Sequence, residues 1–106
     1  MSSNRAVGTP GEPELSSVAR GRAEEVGRQW ANELRAAMVK EERRPCGGWP
    51  GTLSEARTRV ALAVVPWLAT NGQLLMSTQQ REGAARVAYA SARSAWMETR
   101  EAEEKL

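Results

Sequence analysis

Read for its apolar positions, the chain divides into three periodic stretches separated by glycine and proline. From Leu15, the residues Val18, Ala19, Ala23, Val26, Trp30, Leu34, Ala37 and Met38 recur at three- and four-residue steps, the spacing that lays them along one stripe of an α-helix. This first helix is expected to begin at Pro13 or Glu14, since proline is tolerated in a first turn and Glu12 and Glu14 suit the positive end of the dipole. Pro45 should end it near Arg43 or Arg44. Gly21 and Gly27 interrupt the stripe, each weakening a helix by about 1 kcal/mol relative to alanine.

The second stretch opens on "TLSE", residues 52 to 55. This matches a capping box, in which the Thr52 hydroxyl takes the Glu55 amide and the Glu55 carboxylate reaches back to the Thr52 amide. Leu53, Ala56, Val60, Val64, Trp67 and Leu68 form one face, but Ala61, Leu62, Ala63 and Val65 fill much of the rest, so the helix is expected to be sandwiched. Pro66 should bend or loosen its last turn, and Asn71-Gly72 supplies a left-handed stop. A third helix follows from about Gln73, or from Ser77 if "STQQ" caps it. Its inward stripe is small: Ala85, Ala88, Ala92 and Ala95, with Val87, Tyr89 and Trp96 beside them.

The expected fold class is therefore all-α: a three-helix up-down-up bundle with two long outer helices and a short buried middle helix. The helices fall at about residues 14–43, 53–69 and 73–104; residues 1–12 form a disordered tail, and 13–106 a single helical domain. By helical rise the outer helices would span about 45 Å and the middle one about 25 Å. The middle helix could not then cover both neighbours. Either the long helices break at Gly21, Gly27 or Gly83, or a second chain covers their projecting ends. The second reading makes Leu15, Val18, Val26, Trp30, Tyr89, Ala92 and Trp96 a partner interface with Trp96 as its anchor, since tryptophan often anchors interfaces.

Composition narrows the function classes. The chain has no histidine and no aspartate, so the usual general base and the acid dyads and triads of most hydrolases are missing. One cysteine without histidine makes no zinc site and no intrachain disulfide. No enzyme activity, cofactor or metal is expected. Alanine supplies 17 of the apolar residues, so the core should be thin and stability modest for 106 residues. The N-terminal "MSSNRAVGTPGEPELSS" lacks the apolar run of a signal peptide, which points to the cytoplasm. The uncharged stretch from Val60 to Gln80 is broken by Asn71, Gly72 and Gln73, so it reads as two short segments and no membrane span.

Net charge is +2, with residues 94–106 carrying net −2 against a mildly basic middle. Three stretches invite chemistry. In "RRPCGGWPGT", residues 43–52, the glycine amides, Arg43 and Arg44 could meet an anion. The simpler reading is a connection in which the prolines punctuate helices and Trp49 folds onto the end of the bundle. Cys46, near arginines and a helix start, would be an activated thiol but has no base to work with. Arg86, Arg93 and Arg100 recur every seven residues on one helix face; they could track a nucleic-acid backbone, or form a solvated face pairing with Glu82. The function expected from all this is a non-enzymatic helical protein–protein interaction or assembly module, partnered by itself or another helical protein. The alternative is a small nucleic-acid-binding protein using the arginine face.

Overall fold

The computed structural model describes residues 15–41, 48–72 and 76–104, with side chains through Glu98. Helix α1 is Ser17–Lys40. The middle rod, residues 53–70, consists of α2 Leu53–Arg59, a π-helical turn Val60–Val64 and α3 Val65–Thr70; α4 is Thr78–Glu104. No strand occurs among the described residues. The expected tail, Arg43, Arg44, Cys46 and Gly47 lie outside the described residues, as does the side chain of Arg100.

The boundaries follow local hydrogen bonding. The Ser16 hydroxyl accepts the Ala19 N–H at 3.1 Å, and Leu15 and Ser16 are not helical, so α1 starts at Ser17 rather than at Pro13 or Glu14. A serine oxygen satisfies one of the first-turn amides that have no partner within the helix. At the other end α1 stops at Lys40, short of Arg43, where the Glu41 N–H closes onto the Ala37 oxygen. The capping box at Thr52 and Glu55 forms in both directions, at 3.0 and 3.1 Å. A second box, Ser77 with Gln80, starts α4 at Thr78, so of the two expected starts the "STQQ" cap is the one that forms, and not Gln73.

Pro66 acts as its chemistry requires. It has no N–H to continue the α-ladder and its ring crowds the carbonyl four residues earlier. The turn before it widens, so that the Val65 N–H donates to the oxygen of Val60, five residues back. Gly72, at φ 76°, then ends α3 in the left-handed conformation, with the Asn71 amide donating to the Trp67 oxygen.

Contacts along the rods fix their directions. Leu15 lies by Gly83, the Ser91 hydroxyl donates to the Glu24 oxygen, and Arg35 donates to the Trp96 oxygen. Numbers rise together, so α1 and α4 are parallel. Arg22 bonds the Ala63 oxygen while Arg59 pairs with Glu33: the middle rod runs the other way, and the bundle is up-down-up.

The core is built from small side chains plugged by a few large ones. Ala19, Ala23 and Ala31 of α1 and Ala84, Ala85, Ala88 and Ala92 of α4 are buried, together with Val60, Val64, Leu68, Trp30 and Trp96. Such surfaces let helix axes approach toward the short end of the usual 8–10 Å range. Gly27 marks the closest approach: a Cβ there would strike the Ala88 oxygen and come within 2.9 Å of the Ser91 Cβ. The helix does not break at Gly27; α4 packs against it. The middle rod buries the stripe Ala56, Val60, Val64 and Leu68, but Ala61 and Leu62 face outward. The rod packs against both α1 and α4, as expected of a sandwiched helix, while its outer side stays open.

The outer rods project less than expected, although Val18 and Val39, toward the two ends of α1, are 44 % and 61 % exposed. By helical rise α1 is about 36 Å long, α4 about 40 Å and the middle rod about 27 Å, a smaller mismatch than the sequence suggested. At the lower end Leu15 is half-buried and packs against the core near Gly83. At the upper end Trp49, from the connection, lies over the indoles of Trp30 and Trp96. The interior closes within a single chain.

Candidate association surface

The upper end is an edge-to-face indole cluster. Trp49 meets Trp30 at 4.8 Å between ring centroids and Trp96 at 5.6 Å, with planes inclined by 80° and 65°, the geometry favoured by the ring quadrupoles. Gly51 makes room for it: a Cβ would run into the Trp49 ring and come within 2.7 Å of Trp30 Cζ2. Arginines cover the outer ring faces, Arg59 over Trp30 at 5.2 Å and Arg35 over Trp96 at 4.8 Å. Arg59 is held in turn by Glu33 at 2.8 Å. Among the described residues the buried indole N–H groups of Trp30 and Trp49 have no hydrogen-bond partner, so within these residues the cluster rests on apolar burial and ring geometry.

This arrangement corrects the expected interface. Val26, Trp30, Ala92 and Trp96 belong to the core of the chain itself, Trp96 being 1 % exposed. Leu15 and Tyr89 are half-buried against that core. Of the seven residues only Val18, at 44 %, is substantially exposed. The anchor expected at Trp96 is already used, because Trp49 occupies the position a partner would have taken.

Besides Val18, the large apolar side chains exposed among the described residues are Val39, near the end of α1, and Leu62. Leu62 is 74 % exposed, on the outer side of the π-helical turn. It borders a groove of about 450 Å³ between the middle rod and α1, lined also by Val26, Gln29, Ala63 and Thr58, with Glu33, Glu55 and Arg59 at its rim. Arg22 closes the lower side, donating to the Ala63 oxygen at 3.2 Å and lying 5.1 Å over the Trp67 ring. Val18, one turn below Arg22 on α1, extends the same side. Sequence reasoning missed Leu62 because it assigned the whole apolar circumference of the middle rod to burial. The available signal was the four-residue step of Ala56, Val60, Val64 and Leu68, which alone fills one face.

A second open groove, about 560 Å³, lies between α1 and α4 and is lined by small and charged side chains, among them Arg20, Glu24, Arg28, Arg86 and Glu98. The expected arginine face is partly engaged within the chain. Glu82 takes a two-pronged bond from Arg57 at 2.8 and 2.9 Å and lies 3.6 Å from Arg86. Hydrogen bonding from Arg57 holds the Glu82 carboxyl below the usual range, against a weaker upward push from burial, and raises the Arg57 guanidinium in turn. Arg93 is exposed. Among the described residues no group of three or more metal-ligating side chains assembles, and no helix is long and apolar enough to cross a membrane.

Comparison with protein-family models, with curated proteins and with solved structures returns no match to this chain.

Proposed function

We propose that the chain is a non-enzymatic association module that docks an apolar helix of another protein along the outer side of its middle rod. The observation that carries this reading is Leu62: a large apolar side chain 74 % exposed, on a rod apolar almost all round and covered on one side. Exposed single apolar residues are ordinary. Leu62 differs in bordering a formed groove whose rim charges Glu33 and Arg59 already satisfy one another. Such a rim favours an uncharged stripe, the face of an amphipathic helix with anchors at three- and four-residue steps.

Magnitudes set what the partner must do. Full burial of one leucine is worth about 1.5–3 kcal/mol, whereas micromolar affinity needs about 8 kcal/mol. The partner helix must therefore cover Leu62, Ala63 and Val18 together, and the chain supplies a preformed surface with little ordering cost. The absence of histidine and aspartate from the sequence favours binding over chemistry. The nucleic-acid reading through Arg86, Arg93 and Arg100 has weaker support, since Arg86 shares Glu82 with Arg57 and a few arginines give only salt-sensitive, non-specific contacts.

Titration of the ¹⁵N-labelled protein with a synthetic amphipathic helix bearing a leucine stripe tests the reading. Shifts should concentrate at Gln29, Thr58, Leu62 and Ala63 and vanish in Leu62→Lys. No shifts, or shifts unaffected by that substitution, would remove the leucine face as the docking site.

A further inference from the structure

The groove between α1 and α4 lies away from the leucine face, and its charges follow an order of their own. On α1, Arg20, Glu24 and Arg28 recur at four-residue steps and so share one stripe along the groove wall. The Ser91 hydroxyl bonds the Glu24 oxygen at 2.7 Å, which sets Glu98, seven residues further up α4, above the level of Arg28. From bottom to top the groove therefore reads plus, minus, plus, minus. Arg86, near the level of Arg20, strengthens the positive lower end.

A strip of alternating sign with an even number of members is complementary to itself when turned end for end. Helical rise places Glu24, Arg28 and Glu98 about 6, 12 and 17 Å above Arg20. Arg86 lies about 2 Å below Arg20, so the midpoint between Glu24 and Arg28 on α1 and the midpoint between Arg86 and Glu98 on α4 coincide within about 2 Å. One two-fold axis serves both. In an antiparallel pair α1 lies on α1 and α4 on α4, so Glu24 of each copy would face Arg28 of the other and Arg86 would face Glu98. Among the described residues Glu24, Arg28 and Glu98 make no ion pair within the chain, and Arg86 makes only an exposed one, at 3.6 Å, with Glu82. The groove floor, with Ser91 and Ala95, is shallow enough in side-chain size for a second pair of rods to approach. The face is about 36 Å long and two helices, about 20 Å, wide, the order of the roughly 800 Å² that each partner of a standard interface contributes.

We propose that two copies of this chain pair antiparallel through the α1/α4 groove, leaving the leucine faces of both free. The dimer thus presents two docking faces, so the inference goes beyond the association reading and stands or falls separately from it.

Sedimentation equilibrium of the full chain at low and high salt is the test. The wild type should dimerise at low salt and weaken as salt screens the pairs. Arg86→Glu and Glu98→Arg should each weaken the dimer by about tenfold or more, and the double variant, whose pairs re-form with signs exchanged, should recover most of the loss. Circular dichroism of each variant confirms that helicity is kept. Leu62→Lys should leave the dimer unchanged. A monomer at all concentrations, single variants that dimerise like wild type, or a double variant no better than the singles would each overturn the proposal. So would dissociation by Leu62→Lys in place of Glu98→Arg.

Discussion

Gly21 and Gly27 sit six residues apart on one helix and answer to different forces. Nothing lies within 4 Å of a Cβ built at Gly21, whereas one at Gly27 meets the Ala88 backbone oxygen and the Ser91 side chain. Gly21→Ala should therefore stabilise the protein by up to about 1 kcal/mol, through helix propensity and a less free unfolded chain. Gly27→Ala gains the same propensity but forces α1 and α4 apart, so it should destabilise by about 2 kcal/mol net. Urea unfolding of the two variants checks both signs. In the sequence the two glycines look alike, as weak points in an apolar stripe; the difference comes from a neighbour 61 residues or more away in the chain, which no local pattern encodes. The same holds for Trp96. Its position on an apolar stripe was legible, but whether Trp49 or another protein covers it is decided by where the connection folds.

At the level of elements, local chemistry was the most readable. The Thr52–Glu55 box, the Asn71-Gly72 stop and the disturbance at Pro66 each depend on a few consecutive residues, and each forms as its residue types require. The start of α1 was misread because Leu15 continues the apolar stripe although Ser16, the cap, follows it. An apolar residue just outside a helix packs as well as one inside, so periodicity alone overshoots. Thr52→Ala removes the hydroxyl that holds the Glu55 amide and should cost about 1 kcal/mol. For a domain of this size that lowers the thermal midpoint by about 4–8 °C, as a calorimetric scan would register. The π-helical turn also has a functional consequence. It lies in the rod immediately before Pro66 and carries Leu62 on its outer side, so the residue that breaks the α-ladder neighbours the proposed docking face.

For the whole molecule the question is what remains uncovered once the core has closed. The sequence correctly indicated three rods, their order and a thin alanine-rich core, and it placed Trp49 on the bundle end as the simpler reading of the connection. It overestimated the reach of α1 and so expected apolar ends to project. The structure adds uncovered apolar surface at Leu62 on the outer side of the middle rod, leaves Val18 and Val39 exposed toward the two ends of α1, and places Trp30 and Trp96 inside a single chain. The burial of both indoles beside an exposed Leu62 is the central claim, because it decides which residues are available to a partner. Solvent paramagnetic relaxation by a soluble gadolinium chelate, read on side-chain protons of the dilute and of the concentrated protein, tests it most directly. The account predicts strong relaxation of the Leu62 methyls and shielded indole protons of Trp30 and Trp96 at both concentrations. Trp96 protons that relax strongly in dilute solution and become shielded on concentration would contradict it, and would return the interface to the ends of the rods.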